Sequence, residues 1–175
     1  MTWAMRVAVA VIAVLLVRPS FLPASPSANF SASPTLIATL SSLDEVPALS
    51  TTGTGEFRAK VVRNSVIEYK LTYSSIEGGP VAAAHIHFGR AGVNGGIIAF
   101  LCGSEGGRPC PPSGGAVSGV IQPADIIGPA GQGIADGEFS EALRALLNDT
   151  VYVNVHSHEH RAGEVRGQVQ RLPGN

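Results

Sequence analysis

The chain has 175 residues, 45% of them apolar, with twelve Lys and Arg against thirteen Asp and Glu. That length and apolar content suit a single folded domain with a real core, and exclude a disordered tail. A net charge near zero without any basic run offers no footprint for a phosphate backbone, so nucleic acid is not an expected partner.

The chain begins with MTWAMR, a short positive start, followed by an uninterrupted apolar run over residues 7–17, and then Arg18 and Pro19. A bilayer span needs about 20 such residues, whereas this run has the length of a signal-peptide core. An uncleaved N-terminal anchor or a buried helix are the other readings. The Pro/Ser/Ala-rich stretch that follows reads as linker, with Ala24 and Ala28 as candidate cleavage positions. Residues 1–32 are therefore set apart as signal peptide and linker, and 33–172 as the domain. Membrane contact is expected only through the N-terminal segment, if it is not cleaved. Without Arg6 and Arg18, ten basic residues face thirteen acidic ones, and the domain is mildly acidic.

From residue 33 onward, short runs rich in Val, Ile, Thr, Tyr and Phe alternate with Gly, Pro, Asn and Ser, the pattern of an all-β domain. Strands are expected near 35–42, 55–62, 65–73, 82–88, 96–101, 116–121, 150–156 and 163–171. Eight antiparallel strands suffice for a two-layer β-sandwich of Greek-key, immunoglobulin-like or superoxide-dismutase-like type, or for a small barrel. One short helix is expected in FSEALRALLNDT, with Phe139, Leu143, Leu146 and Leu147 on one face and Ser140 as an available cap. In FGRAGVNGG, Asn94 and Gly95 are expected to supply the positive φ angles of a tight reversal. The glycines of GPAGQGIADG lack the spacing and the βαβ context of a nucleotide loop, and no organic cofactor is expected.

Cys102 and Cys110 flank a glycine-rich loop. In an oxidising compartment such a pair most simply forms a disulfide, worth about 2 to 3 kcal/mol for so short a loop. A metal-ligand role for the pair lacks a third cysteine or a nearby histidine.

All five histidines fall in two short segments, AHIH and NVHSHEH. Alternation along a strand places His85 and His87 on one face of VAAAHIHF, opposite Ala84 and Ile86. It likewise places Tyr152, Asn154 and His156 opposite Val151, Val153 and Val155, with His158 and His160 on the same side for as long as the strand stays extended. Two imidazoles at i and i+2 on a strand lie roughly 6.6 to 7 Å apart at Cα, close enough to lean together and give one ion two nitrogens at about 2.0 to 2.1 Å. If the two strands adjoin, His85, His87 and His156 converge, with His158, His160, Glu159 or water to complete a set. Imidazole donors without a thiolate or a dense carboxylate cluster point to copper or zinc rather than calcium or magnesium. The alternative is a set of histidines on a solvated face that orient loops and bind nothing. Asp44 and Glu45, adjacent in sequence, point apart on an extended chain, and Glu164 and Arg166 fit a half-buried terminal strand. Neither Gly-x-Ser-x-Gly nor His-Glu-x-x-His is present, and the reading leans away from an enzyme.

LSSLDEVPAL, AHIHFGRAGVNGG, the LCG…CP loop followed by VSGVI, and YVNVHSHEHRAGEVRGQ together resemble the CHRD domain, named for its occurrence in chordin and found widely in exported bacterial proteins. The resemblance runs from about residue 36 to 170. It implies an extracellular or periplasmic β-sandwich and transfers no catalytic residues. The family-typical positions are Glu45, Pro47, His85, His87, Gly95, Tyr152, Asn154, His156, Gly163, Glu164, Arg166 and Gly167. His158 and His160 fall where the family pattern is loose. The expectation is a secreted or envelope module that binds copper or zinc, or else a non-catalytic module that binds an extracellular or envelope protein.

Overall fold

The computed structural model describes Met1 and residues 33–103, 105 and 107–172. The expected signal peptide and linker lie outside the described residues, apart from Met1. Among the described residues no helix is long and apolar enough to cross a membrane.

The strand expectations are met to within a residue or two at most ends. The strands are β1 (Thr35–Ser41), β2 (Thr54–Val62), β3 (Val66–Ser74), β4 (Val81–Phe88), β5 (Ile97–Gly103), β6 (Gly115–Ile121), β7 (Val151–Ser157), β8 (Val165–Gln168) and β9 (Gln170–Arg171). All pair antiparallel in one sheet of order β5-β4-β7-β8-β1-β2-β3-β6, with β9 beside β1. The sheet curls over so that its two end strands approach, which gives the layered all-β architecture with a nearly closed wall. Tyr69 of β3 donates its hydroxyl across the interior to the Leu101 carbonyl of β5 at 2.8 Å. Arg108, beyond β5, donates to the Ser118 carbonyl of β6. The expected last strand is broken at Val169, so β8 and β9 are separate pieces; the Val169 side chain is fully buried in the core and its amide donates to Val151.

The two halves of the sheet follow different burial rules. In β2 and β3 every second residue is buried, with Phe57, Ala59, Val61, Ile67, Tyr69, Leu71 and Tyr73 inward, as expected for a sheet with one solvated face. In β7 all seven residues are buried. Val151, Val153 and Val155 enter the core, while Tyr152, Asn154 and His156 are covered by loops on the outer side. That second buried face carries the functional candidates.

The helix α1 (Phe139–Leu146) buries Phe139, Ala142, Leu143, Ala145 and Leu146, as the apolar periodicity requires. Its start differs from expectation. Ser140 lies inside the helix, and Glu138 occupies the capping position without a side-chain cap bond. Burying Phe139 places the first turn two residues early, and the Glu138 carboxylate instead accepts from the Ala135 amide at 3.1 Å.

The turn after β4 also differs. Positive φ falls on Gly92 at 75°, and not on Asn94 or Gly95. Gly95 is required by proximity, since a Cβ there would lie 1.7 Å from the Phe88 carbonyl oxygen. Asn94 acts through its side chain, donating to the Val46 carbonyl and accepting from Arg166, each at 3.0 Å.

Cys102 and Cys110 form a disulfide with Cα atoms 5.2 Å apart. Replacing both by alanine should cost about 2 to 3 kcal/mol of unfolding free energy, read from the urea midpoint with its slope unchanged. A second outcome tests the close approach of β8 to β1. A Cβ on Gly167 would lie 2.2 Å from the Thr39 carbonyl oxygen, which is backbone and cannot rotate away. Gly167→Ala should lose about 2 to 3 kcal/mol in the same assay, far more than an alanine in open space costs.

Candidate metal centre

β4 and β7 are neighbours in register, with His85 opposite Asn154, Ala83 opposite His156, and His87 opposite Tyr152. Because the three histidines share one face of two adjacent strands, their rings meet. Centroids are separated by 4.6 Å for His85 and His156, 5.4 Å for His85 and His87, and 5.8 Å for His87 and His156. One ligand nitrogen from each lies within 4.8 Å of the others. Each ring is about 8% exposed.

The hydrogen bonds fix which nitrogen carries the proton. His87 Nδ1 lies 3.0 Å from the Gly95 carbonyl, and His156 Nδ1 lies 3.0 Å from the Arg161 carbonyl. A carbonyl only accepts, so in the neutral ring Nδ1 holds the hydrogen and Nε2 keeps its lone pair. Both Nε2 atoms are buried without a partner, as are both ring nitrogens of His85. Burial holds all three rings in the neutral form: His85 is pushed down to about 3, with the neighbouring imidazoles adding to the effect, and His87 to about 4 despite its bond to Gly95. His156 is lowered for the same first reason. Neutral imidazoles with unpartnered nitrogens close to one another, two of the rings oriented by backbone carbonyls, suit a soft or borderline cation. Three donors meeting at about 2.0 to 2.1 Å from a centre sit roughly 3.3 to 3.6 Å apart, so small rotations of the rings close the set.

The surroundings lock these rings. Tyr152 is stacked on His87 at 4.8 Å and 4°, and the Arg166 guanidinium lies 3.5 Å from the other partner, the centroid of that tyrosine ring. The Gly95 amide donates to the Tyr152 hydroxyl at 3.2 Å, so one residue holds both His87 and Tyr152. Phe100 of β5 meets His85 edge-on at 4.8 Å. Glu45 is buried, and its Oε2 accepts from Asn154 Nδ2 at 3.3 Å while Oε1 has no partner. Desolvation, only partly offset by Asn154 and Arg166, raises the Glu45 carboxyl to about 7. Gly163, at φ 134°, leaves room for the Asn154 amide 2.3 Å from where a Cβ would stand. Pro47 follows Val46 through a cis bond and is exposed.

Glu164 and Arg166 are not half-buried surface partners of one another. Both are at most 1% exposed. The Glu164 carboxylate accepts from the amides of Glu77 and Gly78, at 2.7 and 3.1 Å. Arg166 donates to the carbonyls of Arg90 and Val93 and to Asn94 Oδ1, and so pins the loop after β4 over the outer face. The half-buried reading failed because alternation reveals two faces but not what covers the second.

His158 and His160 do not join the three-histidine group. β7 ends at Ser157, and the chain turns away over 158–163. His158 is exposed; the His160 amide bonds Ser157 Oγ at 3.2 Å, and its ring packs beside Gly78. Glu159 is also exposed. The supporting residues Phe100, Gly78 and the carbonyl of Arg161 carried no signal in sequence, because two of them act through backbone and the third looks like any strand aromatic.

No curated protein matches the chain. Among solved structures, a single-site mutant of superoxide dismutase 5 from Candida albicans is similar at 12% identity, over 82% of this chain and 95% of that chain, with a TM-score of 0.48; at that level the similarity bears on neither the site nor its chemistry. The family model described as the CHRD domain matches residues 36–169, from the first core leucine of β1 to the break between β8 and β9. The chain belongs to the CHRD domain family.

Proposed function

We propose that this protein is an exported metal-binding module whose ion is copper or zinc, held by His85, His87 and His156. The observation that carries this reading is the set of three buried imidazoles that each bring a ligand nitrogen within 4.8 Å of the others and keep unpartnered nitrogens, two of the rings being oriented by carbonyls at Nδ1. Polar atoms buried in that way cost free energy unless something satisfies them. A cation does so for all three at once. Export is supported by the disulfide and by the apolar N-terminal run, since such bonds persist in oxidising compartments. The bound ion would supply a Lewis-acid or, for copper, a redox centre; the chain's own part is to hold the three rings together, neutral and largely shielded from water.

Titration of the purified chain with Zn(II) or Cu(II) in a calorimeter should give one site per chain, tighter than about 10 μM. His85→Ala, His87→Ala or His156→Ala should each weaken it by at least about 100-fold, because two remaining imidazoles hold an ion poorly. His158→Ala should change the affinity by less than about 3-fold. Binding that is absent, or that survives loss of His85, would overturn the reading.

Glu45 predicts a pH dependence of the metal-free fold. Its folded value of about 7 stands above the ordinary 4.5, so burial favours the neutral form. The stabilisation is present below 4.5 and is lost as pH rises through 7, because the folded state then holds an ionised buried carboxylate. Glu45→Gln, neutral at every pH, should raise the melting temperature at pH 8 by about 2 to 4 °C and leave it nearly unchanged at pH 4.5.

A further inference from the structure

Beside the three histidines runs an open groove of about 900 Å³, which His85 lines together with Phe100, Val81, Pro109, Arg108 and Arg161. His85 is the only member of the trio on the groove, and both of its ring nitrogens are buried without a partner. Among the described residues, the groove thus comes up against the trio at His85, a ring whose nitrogens are themselves shielded from solvent. It is walled by apolar side chains and by the disulfide loop, and its rim carries two guanidinium groups and His158 against a single carboxylate, Glu105.

The charge within the site points the same way. A dication on three neutral imidazoles keeps its full charge, since no carboxylate belongs to the ligand group. Arg166 adds a second buried positive charge, stacked on Tyr152 and bonded only to neutral acceptors. Of the buried carboxylates, Glu164, just before β8, is committed to the amides of Glu77 and Gly78, and Glu45 is bonded to Asn154, so that even ionised it offsets only one of these positive charges. Unbalanced charge in a desolvated place is costly, and a metal with three protein donors has a coordination position left.

We infer that the groove delivers an anionic donor, an inorganic monoanion or an organic carboxylate, to the open position of the metal, with Arg108 and Arg161 drawing it in. This rests on the metal reading above. Arg108 is anchored by its bond to the Ser118 carbonyl and Arg161 by its bond to the His158 carbonyl at 3.2 Å, so each guanidinium is held at the rim with further N–H groups free to meet a ligand. The apolar wall distinguishes the two sources of the anion, because it adds affinity for a carboxylate with an apolar body and nothing for an inorganic ion.

The test uses the full chain loaded with Cu(II), whose stoichiometry is measured first. Azide and benzoate are then titrated separately, followed by the copper electron paramagnetic resonance and visible absorption spectra. Saturable spectral change with either anion is expected, and the tighter probe identifies the source. Arg108→Gln and Arg161→Gln should each weaken it about 3- to 5-fold at low salt, with copper stoichiometry unchanged; Arg108→Lys and Arg161→Lys should restore most of the loss. One copper per chain with spectra indifferent to both anions overturns the groove proposal alone, as does affinity that is equal in the double glutamine variant. Failure to take up copper or zinc at all overturns the metal reading and this one with it.

Discussion

The structure depends on the burial of both faces of β7. An antiparallel strand with one solvated side can place any polar residue there at no cost. A strand covered on both sides cannot, and each polar group on its outer face must find a partner or be left wanting one. Tyr152, Asn154 and His156 are on that face, flanked by His85 and His87 on β4 and Arg166 on β8. The cover consists of the loop after β4, which Arg166 holds through the Arg90 and Val93 carbonyls and Asn94, and of the segment bearing Glu45, which Asn94 ties down through the Val46 carbonyl. The loop at residues 77 and 78 is held in turn by Glu164. Two buried polar side chains, Glu164 just before β8 and Arg166 within it, therefore fasten the roof of the site at both ends.

This arrangement explains three of the chain's glycines. Gly95 must come within reach of Phe88, His87 and Tyr152 together, Gly163 must leave space for Asn154, and Gly167 must let β8 lie against β1. None of these positions is a matter of chain flexibility alone. Each is a place where a side chain would occupy volume already taken, by the Phe88 carbonyl at Gly95, by the Asn154 amide at Gly163 and by the Thr39 carbonyl at Gly167.

Much of this was legible beforehand, for definite reasons. Alternation in VAAAHIHF and VYVNVHSHEH separates apolar from polar faces without reference to any fold, and β4 and β7 obey it, apart from a register shift between Val81 and Ala83. The cysteine pair is short enough in sequence that pairing was the simplest outcome. What alternation does not encode is the neighbour on the second face, and this is why Glu164 and Arg166 read as the outer side of a half-buried strand, and why the side taken by His158 was left conditional on the strand staying extended. The strand end at Ser157 is set by the loop closing on Glu164, a tertiary event 7 residues downstream of Ser157. The cap of α1 and the turn at Gly92 were missed for a related reason: a strong local signal, Ser140 in one case and Asn94 with Gly95 in the other, lost to the demands of Phe139 in the core and of Arg166 for the Asn94 side chain.

The energetics of the metal-free site favour a functional explanation over a structural one. Four buried ring nitrogens without partners, two on His85 and one each on His87 and His156, carry a desolvation cost of about 1 to 3 kcal/mol apiece, against a total stability for a domain of this size on the order of 5 to 15 kcal/mol. Histidines kept only to orient loops would need no more than the Nδ1 bonds that His87 and His156 already make, and His85 makes none. An apolar residue at position 85, packed against Phe100 and the other two rings, would relieve the cost with little loss of volume. Its imidazole therefore stands at a disadvantage to the fold, which an ion accepted between the three rings, as proposed above, would offset.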